Sequence, residues 1–258
     1  MNTFVVQNVH SLSLLSSSPL SLTPSFFHHH LRFSILPNCK PITRSALNFN
    51  MALSAKILGF EQKRVVIPNK HGEKLVGILH DSETKQIVIF DGSFQYGYYW
   101  READDLHVVT QHFHGLNCRV TAIVGHGKGA GVMLLYALKY NDVKTVVNIS
   151  GRYHLKAGIE ERLGKNYMER IKEDGFIDVK KPGSPNYRVT VESLLDRLDT
   201  NMHEACLRID IKCRVLTVHG SSYTVISVED AFQFAQILPN HTLHIVEGAD
   251  HPYTNHQN

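Results

Sequence analysis

Apolar positions along this chain change their spacing several times, and each change marks an element. The runs RVVIP (Arg64 to Pro68) and KLVGIL (Lys74 to Leu79) flank NKHGE, whose glycine suits a turn, and together predict an antiparallel hairpin. QIVIF (Gln86 to Phe90) is a continuous apolar run and reads as a buried strand. From Tyr99 to Phe113 the spacing becomes helical, with Tyr99, Ala103, Leu106, Val109 and Phe113 on one face and Arg101, Glu102, Asp104 and Asp105 assigned to the other. A strand at Val120 to Val124 then leads through GHGKGA into an apolar helix, Gly129 to Tyr140. Further on the pattern predicts a strand at Thr145 to Ile149, a polar helical region from about Ile159 to Ile209, a strand at Arg214 to His219, a helix at Val228 to Gln236 and a strand at Thr242 to Val246. Alternation of this kind implies a mostly parallel sheet covered by helices. No internal repeat is visible.

Composition narrows the class without changing it. At 258 residues, 43% hydrophobic and 20% charged, the chain is long enough to bury a sizeable core in one domain. Four of its 27 basic residues (Arg32, Lys40, Arg44 and Lys56) precede the first acidic residue, Glu61, so 23 remain against 24 acidic ones. A near-neutral body gives no electrostatic reason to expect nucleic acid or an anionic membrane as partner. Residues 1–58 are rich in Ser, Leu and Pro and read as a leader without a packed core, either a chloroplast-type transit peptide or a segment bypassed by a start at Met51, which would leave the protein cytoplasmic. No apolar run reaches the roughly 18 residues of a membrane span. Cys39, Cys118, Cys206 and Cys213 are widely spaced and read as reduced, partly buried thiols.

The glycine-dense turn is where the chemistry of such a sheet should sit. As a dinucleotide fingerprint it matches through Gly125, Gly127 and Ala130, but the next strand, TVVNIS, ends without the acid that would hold a ribose. As a nucleophile elbow, GxSxG, it has the flanking glycines Gly125 and Gly129 at the right spacing, and Gly127 stands where the serine would be. His107, His112 and His114 do not converge as metal ligands on one helix face, because positions 112 and 114 point about 200° apart. No cofactor or metal is expected. Tyr96, Tyr98, Tyr99 and Trp100 form an aromatic cluster at a helix start, and Ser93, Ser221 and Ser222 are hydroxyls outside any elbow pattern.

The stretches RVVIPNKHGEKLVGILH, GSFQYGYYWREADDL, TAIVGHGKGAGVMLLYALKY, VVNISGRYHLKAGIEERLG, CRVLTVHGSS and VEGADHPYTNHQ resemble the α/β-hydrolase superfamily, in particular its plant serine aminopeptidase-like and esterase/lipase-like branch. The resemblance covers nearly everything after Lys63. It implies a three-layer α/β/α sandwich over residues 59–258, with 151–209 as a cap or insertion. It also implies an elbow reading GHSKGG, an acid in the HGSxD loop and a catalytic histidine after the last strand. Carried over, those positions fall on Gly127, Tyr223 and His251, so only the histidine is retained. Glu229 and Asp230 stand near the acid position but read as first-turn helix residues. Members of the superfamily also place an oxyanion-hole loop, a helix and a further strand after the strand matching QIVIF. Here Phe90 runs directly into Asp91, Gly92 and Ser93, so that unit is deleted; the chain likewise stops at Asn258, short of a closing C-terminal helix.

Two functions stay open at this level. One is an α/β-hydrolase-type protein without standard serine-hydrolase activity. The other is an active ester or peptide hydrolase that uses a different nucleophile with His251. Either would take a small-molecule ester or peptide as ligand. Oligomeric state is not legible.

Overall fold

The computed structural model describes residues 3–8, 61–81, 86–91, 95–180, 186–250 and 253. Its first four strands are β1 (Thr3–Asn8), β2 (Glu61–Pro68), β3 (Lys74–Asp81) and β4 (Gln86–Asp91), followed by β5 (Arg119–His126) and β6 (Thr145–Ile149). A short antiparallel pair, β7 (Phe176–Val179) and β8 (Tyr187–Thr190), stands apart, and β9 (Arg214–Gly220) and β10 (His241–Val246) complete the main sheet. The order across that sheet is β10-β9-β6-β5-β4-β1-β3-β2. Strands β4, β5, β6, β9 and β10 pair in parallel, and β2 and β3 form the expected antiparallel hairpin.

Helix α1 (Tyr99–Gly115) packs on α2 (Lys128–Tyr140), and α2 lies against β5 and β6. Val132, Leu134 and Leu135 are fully buried, and Leu138 packs half-buried on the same core. At about 1.5–3 kcal/mol for each fully buried aliphatic side chain, this helix is a major source of cohesion. In register across the sheet, Ile123, Val146 and Val215 face that core. The next residues in each strand, Val124, Val147 and Leu216, point to the opposite face and are half-buried.

The apolar stripe predicted for α1 is buried throughout, but its supposed polar face is not all solvated. Arg101 pairs with Glu73 at 2.6 Å, and Asp104 accepts from Lys70 at 2.6 Å, from Tyr140 at 2.7 Å and from Lys139. Burial pulls the Asp104 carboxyl upward, yet those donors outweigh it and hold its pKa at about 2. Glu102 and Asp105, by contrast, are buried. Asp105 accepts a 2.9 Å hydrogen bond from Asn69, which ties α1 to the β2–β3 turn. Glu102 belongs to the site described below.

Between β6 and β9 the chain folds into α3 (Ile159–Leu163), α4 (Tyr167–Asp174), the β7–β8 pair, α5 (Val191–Asp199) and α6 (Met202–Leu207). The sequence pattern shows this region only as polar and helical and misses the β7–β8 pair. Ile159, Leu163, Ile171, Ile177, Val179, Val189 and Leu194 form a second small core, joined by Tyr96 from the loop before α1. The last described helix, α7 (Val228–Ile237), packs on β9 and β10.

Besides the β7–β8 pair, one strand of the main sheet has no counterpart in the sequence reading. β4 ends at Asp91 and α1 begins at Tyr99, and among the described residues between them no strand intervenes where the resemblance implies one. β3 and β4 are nevertheless not adjacent. Thr3–Asn8 lies between them, parallel to β3 (Val5↔Ile78) and antiparallel to β4 (Val5↔Phe90). The leader reading assigns no element to this stretch, whereas TFVVQN carries the β-branched run suited to a strand. The rest of the expected leader lies outside the described residues.

Candidate functional site

In parallel α/β sheets, ligands bind at the carboxyl ends of the strands. Four segments meet at that end here: the turn at Gly127 after β5, Ser150 to Arg152 after β6, Ser221 to Tyr223 after β9, and, after β10, Ala249, Asp250 and Tyr253.

The turn after β5 is a sharp strand-to-helix turn. Gly127 sits at φ 58° and ψ −112°, a left-handed conformation that strains any residue with a side chain, and its N–H donates to the Ile149 carbonyl at 2.9 Å. Gly125 is needed for a different reason. A Cβ there would stand 2.3 Å from the Gly129 carbonyl oxygen and 2.6 Å from the Ala130 nitrogen, all backbone atoms of the helix start. Gly125→Ala is therefore expected to destabilise by about 3 kcal/mol, as overpacking against rigid backbone does. Urea denaturation followed by circular dichroism checks this; a change below about 0.5 kcal/mol would show that strand and helix separate freely.

Immediately after Gly127, Lys128 turns inward. Its Nζ lies 2.6 Å from Glu102 Oε1, both side chains are almost wholly buried, and the ammonium stands 5.1 Å over the Tyr99 ring. The pair locks the start of α2 to α1. Sequence reading places Glu102 on the solvated face, although it falls three residues after Tyr99 and one before Ala103, within reach of the buried stripe. The Lys128 signal was equally available, as the one charge between an apolar strand and an apolar helix.

Tyr99 connects this pair to the second core. Its backbone N–H, one of the open donors at the α1 start, is taken by the Asp196 carboxylate at 2.8 Å. Burial raises the Asp196 pKa, against the pull of that hydrogen bond and of Lys128. The Tyr99 hydroxyl accepts from Arg197 Nη1 at 3.2 Å, and the Arg197 guanidinium lies 5.2 Å over the Tyr96 ring. Tyr96 in turn stacks on Tyr187 of β8, with centroids 6.2 Å apart and planes within 10°. The predicted cluster at 96–100 is thus divided: Tyr96 and Tyr99 are buried, Tyr98 is half-buried and Trp100 is largely exposed.

Tyr223, at the expected acid position, is half-buried in the loop after β9, with its ring 5.8 Å from that of His219. Burial pushes its hydroxyl up to about 12, with Arg152 and Arg162 pulling the other way, so it stays neutral across the physiological range. Gly127 and Tyr223 share this end of the sheet on strands separated by β6. His251 lies outside the described residues, as do Ser93 and Cys39. Next to it, Tyr253 shares a 2.9 Å hydrogen bond with the buried Ser150 hydroxyl, and burial raises its pKa to about 12.

Of the two acids near Tyr223, Glu229 is exposed in the first turn of α7, whereas Asp230 is buried and accepts from the Tyr153 N–H at 3.0 Å. Ser221 donates to Glu247 at 2.9 Å and accepts from the Gly248 N–H. His107 stacks on Tyr140 with centroids 3.7 Å apart, away from His112, which meets Phe113 edge-on. Among the described residues no group of three His, Cys, Asp or Glu side chains is placed to hold a metal, and no helix is long and apolar enough to cross a membrane. Cys206 and Cys213 are buried free thiols, while Cys118 is only half-buried, with its Sγ toward the Leu116 carbonyl.

No family model and no curated protein matches the sequence. Solved structures do. The α/β hydrolase GrgF from Penicillium sp. sh18 superposes with a TM-score of 0.58 at 16% identity, over 74% of this chain and 91% of that one. The Pyrococcus furiosus esterase Pf2001 gives 0.54 at 15% identity, over 86% and 92%. An esterase domain from a Rhodothermus marinus protein gives 0.53 at 16%, over 76% and 91%. Identities this low speak to architecture, and that architecture is the α/β-hydrolase fold expected from the sequence.

Proposed function

We propose that this chain is an α/β-hydrolase-type protein that binds a small ester- or peptide-like molecule at the carboxyl end of its sheet without standard serine-hydrolase chemistry. The observation that supports it is Gly127. The backbone there holds the strained conformation of an elbow, and the side chain that such strain would present is absent. In serine hydrolases, loss of the nucleophile costs on the order of 10⁶ in kcat, roughly 8 kcal/mol, because the general base then has no hydroxyl to deprotonate. Tyr223 adds to this, since a neutral phenol cannot hold a histidine in its working tautomer as a carboxylate does. We read the degeneracy as belonging to the plant serine aminopeptidase-like and esterase/lipase-like branch.

Treatment of the full chain with a fluorophosphonate probe is expected to leave it unlabelled. Gly127→Ser should label slowly at best, because the new Oγ would lack an acid-oriented base. Stoichiometric labelling of the unmodified chain, mapped by mass spectrometry to any serine, would replace this reading with the alternative of an active hydrolase using another nucleophile with His251.

A further inference from the structure

Three arginines, Arg152, Arg162 and Arg197, act on Tyr96, Tyr99, Tyr187 and Tyr223, and their surroundings leave positive charge unanswered. Arg197 is the most constrained. Only 5% of it is exposed, Nη1 donates to Tyr99, the guanidinium face lies over Tyr96, and Nε has no hydrogen-bond partner among the described residues. A buried guanidinium with an idle donor is costly unless something completes it. The hydroxyl of Tyr96, a residue only 4% exposed, is a second buried polar atom without a partner among the described residues.

Arg162 and Arg152 reach the same place from α3 and from the loop after β6. Arg162 lies near enough to Tyr187 for its charge to act on that hydroxyl, and Tyr187 stacks on Tyr96. Arg152 spends one nitrogen, Nη2, on the Val225 carbonyl. Arg162 and Arg197 both act on Tyr96, all three arginines act on Tyr99, and Arg152 and Arg162 act on Tyr223. Burial lowers the Arg152 pKa, and the charges of Arg197 and Arg162 lower it further, the mark of cations gathered in one place.

The acids nearby do not answer these charges. Glu102 is engaged by Lys128, Asp196 by the Tyr99 N–H, and Asp230, the carboxylate that bears on Arg152, by the Tyr153 N–H. Among the described residues none comes within ion-pair distance of Arg152, Arg162 or Arg197.

We infer that Arg152, Arg162 and Arg197, with the Tyr96 hydroxyl, bind the carboxylate of a small aromatic acid. The guanidinium fork matches the two oxygens of a carboxylate, and the Tyr96 hydroxyl supplies a further donor. The Tyr96 and Tyr187 rings offer an apolar wall for the rest of the molecule. This assignment rests on the reading of this end of the sheet as a ligand site, and not on the absence of a nucleophile. Fluorophosphonate labelling and acid binding therefore succeed or fail separately.

The test is calorimetric titration of the full chain with 3-phenylpropionate and with its neutral isostere 3-phenylpropanamide, alongside inorganic phosphate. The acid is expected to bind and the amide to bind at least tenfold more weakly. Arg162→Gln, at a half-exposed position, should keep the fold and weaken the acid about ten- to hundredfold, the loss expected for a charge-assisted hydrogen bond. Arg197→Met should abolish binding yet melt no lower than the parent without ligand, because it removes an unpaired buried charge; a merely structural arginine would lower the melting point instead. Equal affinity for acid and amide, absence of acid binding at about 10 mM, binding of phosphate in preference to the acid, or undiminished binding by Arg162→Gln would each overturn the assignment.

Discussion

A chain beginning at Met51 is expected to lose much of its stability, and to associate on size-exclusion chromatography, relative to the chain beginning at Met1. Without β1 the sheet contains two unpaired edges in its interior, β3 and β4. Each loses a ladder of five paired positions, Thr3↔Val76 to Gln7↔His80 on one side and Phe4↔Asp91 to Asn8↔Ile87 on the other. At about 1 kcal/mol net per hydrogen bond, such ladders amount to a loss on the order of 5–10 kcal/mol, comparable to the whole stability of a typical domain. Unpaired edges are also templates for other chains. Closing the gap by pairing β3 directly with β4 offers incomplete relief. It would draw β2 and β3 inward by one strand spacing, about 4.8 Å, and pull Asn69 from Asp105 and Lys70 from Asp104. Thermal melts of the two chains, with chromatography at matched concentration, make the comparison. Melting points within about 2 °C and identical elution would show that β1 contributes nothing. The same experiment bears on the leader reading: as a transit peptide this segment would be removed after import, and β1 with it.

The second large effect is expected from Lys128→Met. It leaves the Glu102 carboxylate buried without its counter-charge, and breaking one side of a buried ion pair typically costs about 3–5 kcal/mol. Glu102→Leu should cost a similar amount for the mirror reason, since it leaves the Lys128 ammonium buried without its counter-charge. The double change Lys128→Met with Glu102→Leu should recover most of the loss, since replacing a whole buried pair by apolar groups is often neutral or better. Denaturant titrations of the three variants close the cycle. If Lys128→Met alone is silent, the ammonium is not held by Glu102 and the lock between α1 and α2 is not ionic.

Elements with a clean period were legible from the sequence, because one physical rule decides each of them. β2, β3, β5, β6, β9 and α2 stand within one to three residues of the expected spans. The tight turn between β5 and α2 was legible too, since Gly125 is demanded by a backbone approach that no other residue permits. Four things were not, the first being the β7–β8 pair, whose four-residue strands fall inside a stretch that reads as polar and helical. β1 was hidden because it stands beyond a Ser- and Pro-rich stretch and pairs only with residues far downstream, a tertiary fact that local pattern does not carry. Glu102 reads as exposed by residue type, whereas its place on the helix, beside Tyr99 and Ala103, makes it inward. The gathering of Arg152, Arg162 and Arg197 depends on how three separate segments converge, and nothing in the spacing of 152, 162 and 197 announces it.

The position of β1 also sets an order of events in synthesis. Residues 3–8 leave the ribosome before their partners at 76–80 and 87–91, which follow about seventy to ninety residues later. Until then the first strand of the chain is the one with nowhere to go. Closing so long a loop is slow and entropically costly, and the β3 and β4 edges stay open meanwhile to any strand that reaches them first. A second nascent chain on the same message carries the same strand, so exchange of β1 between neighbours competes with its capture at home.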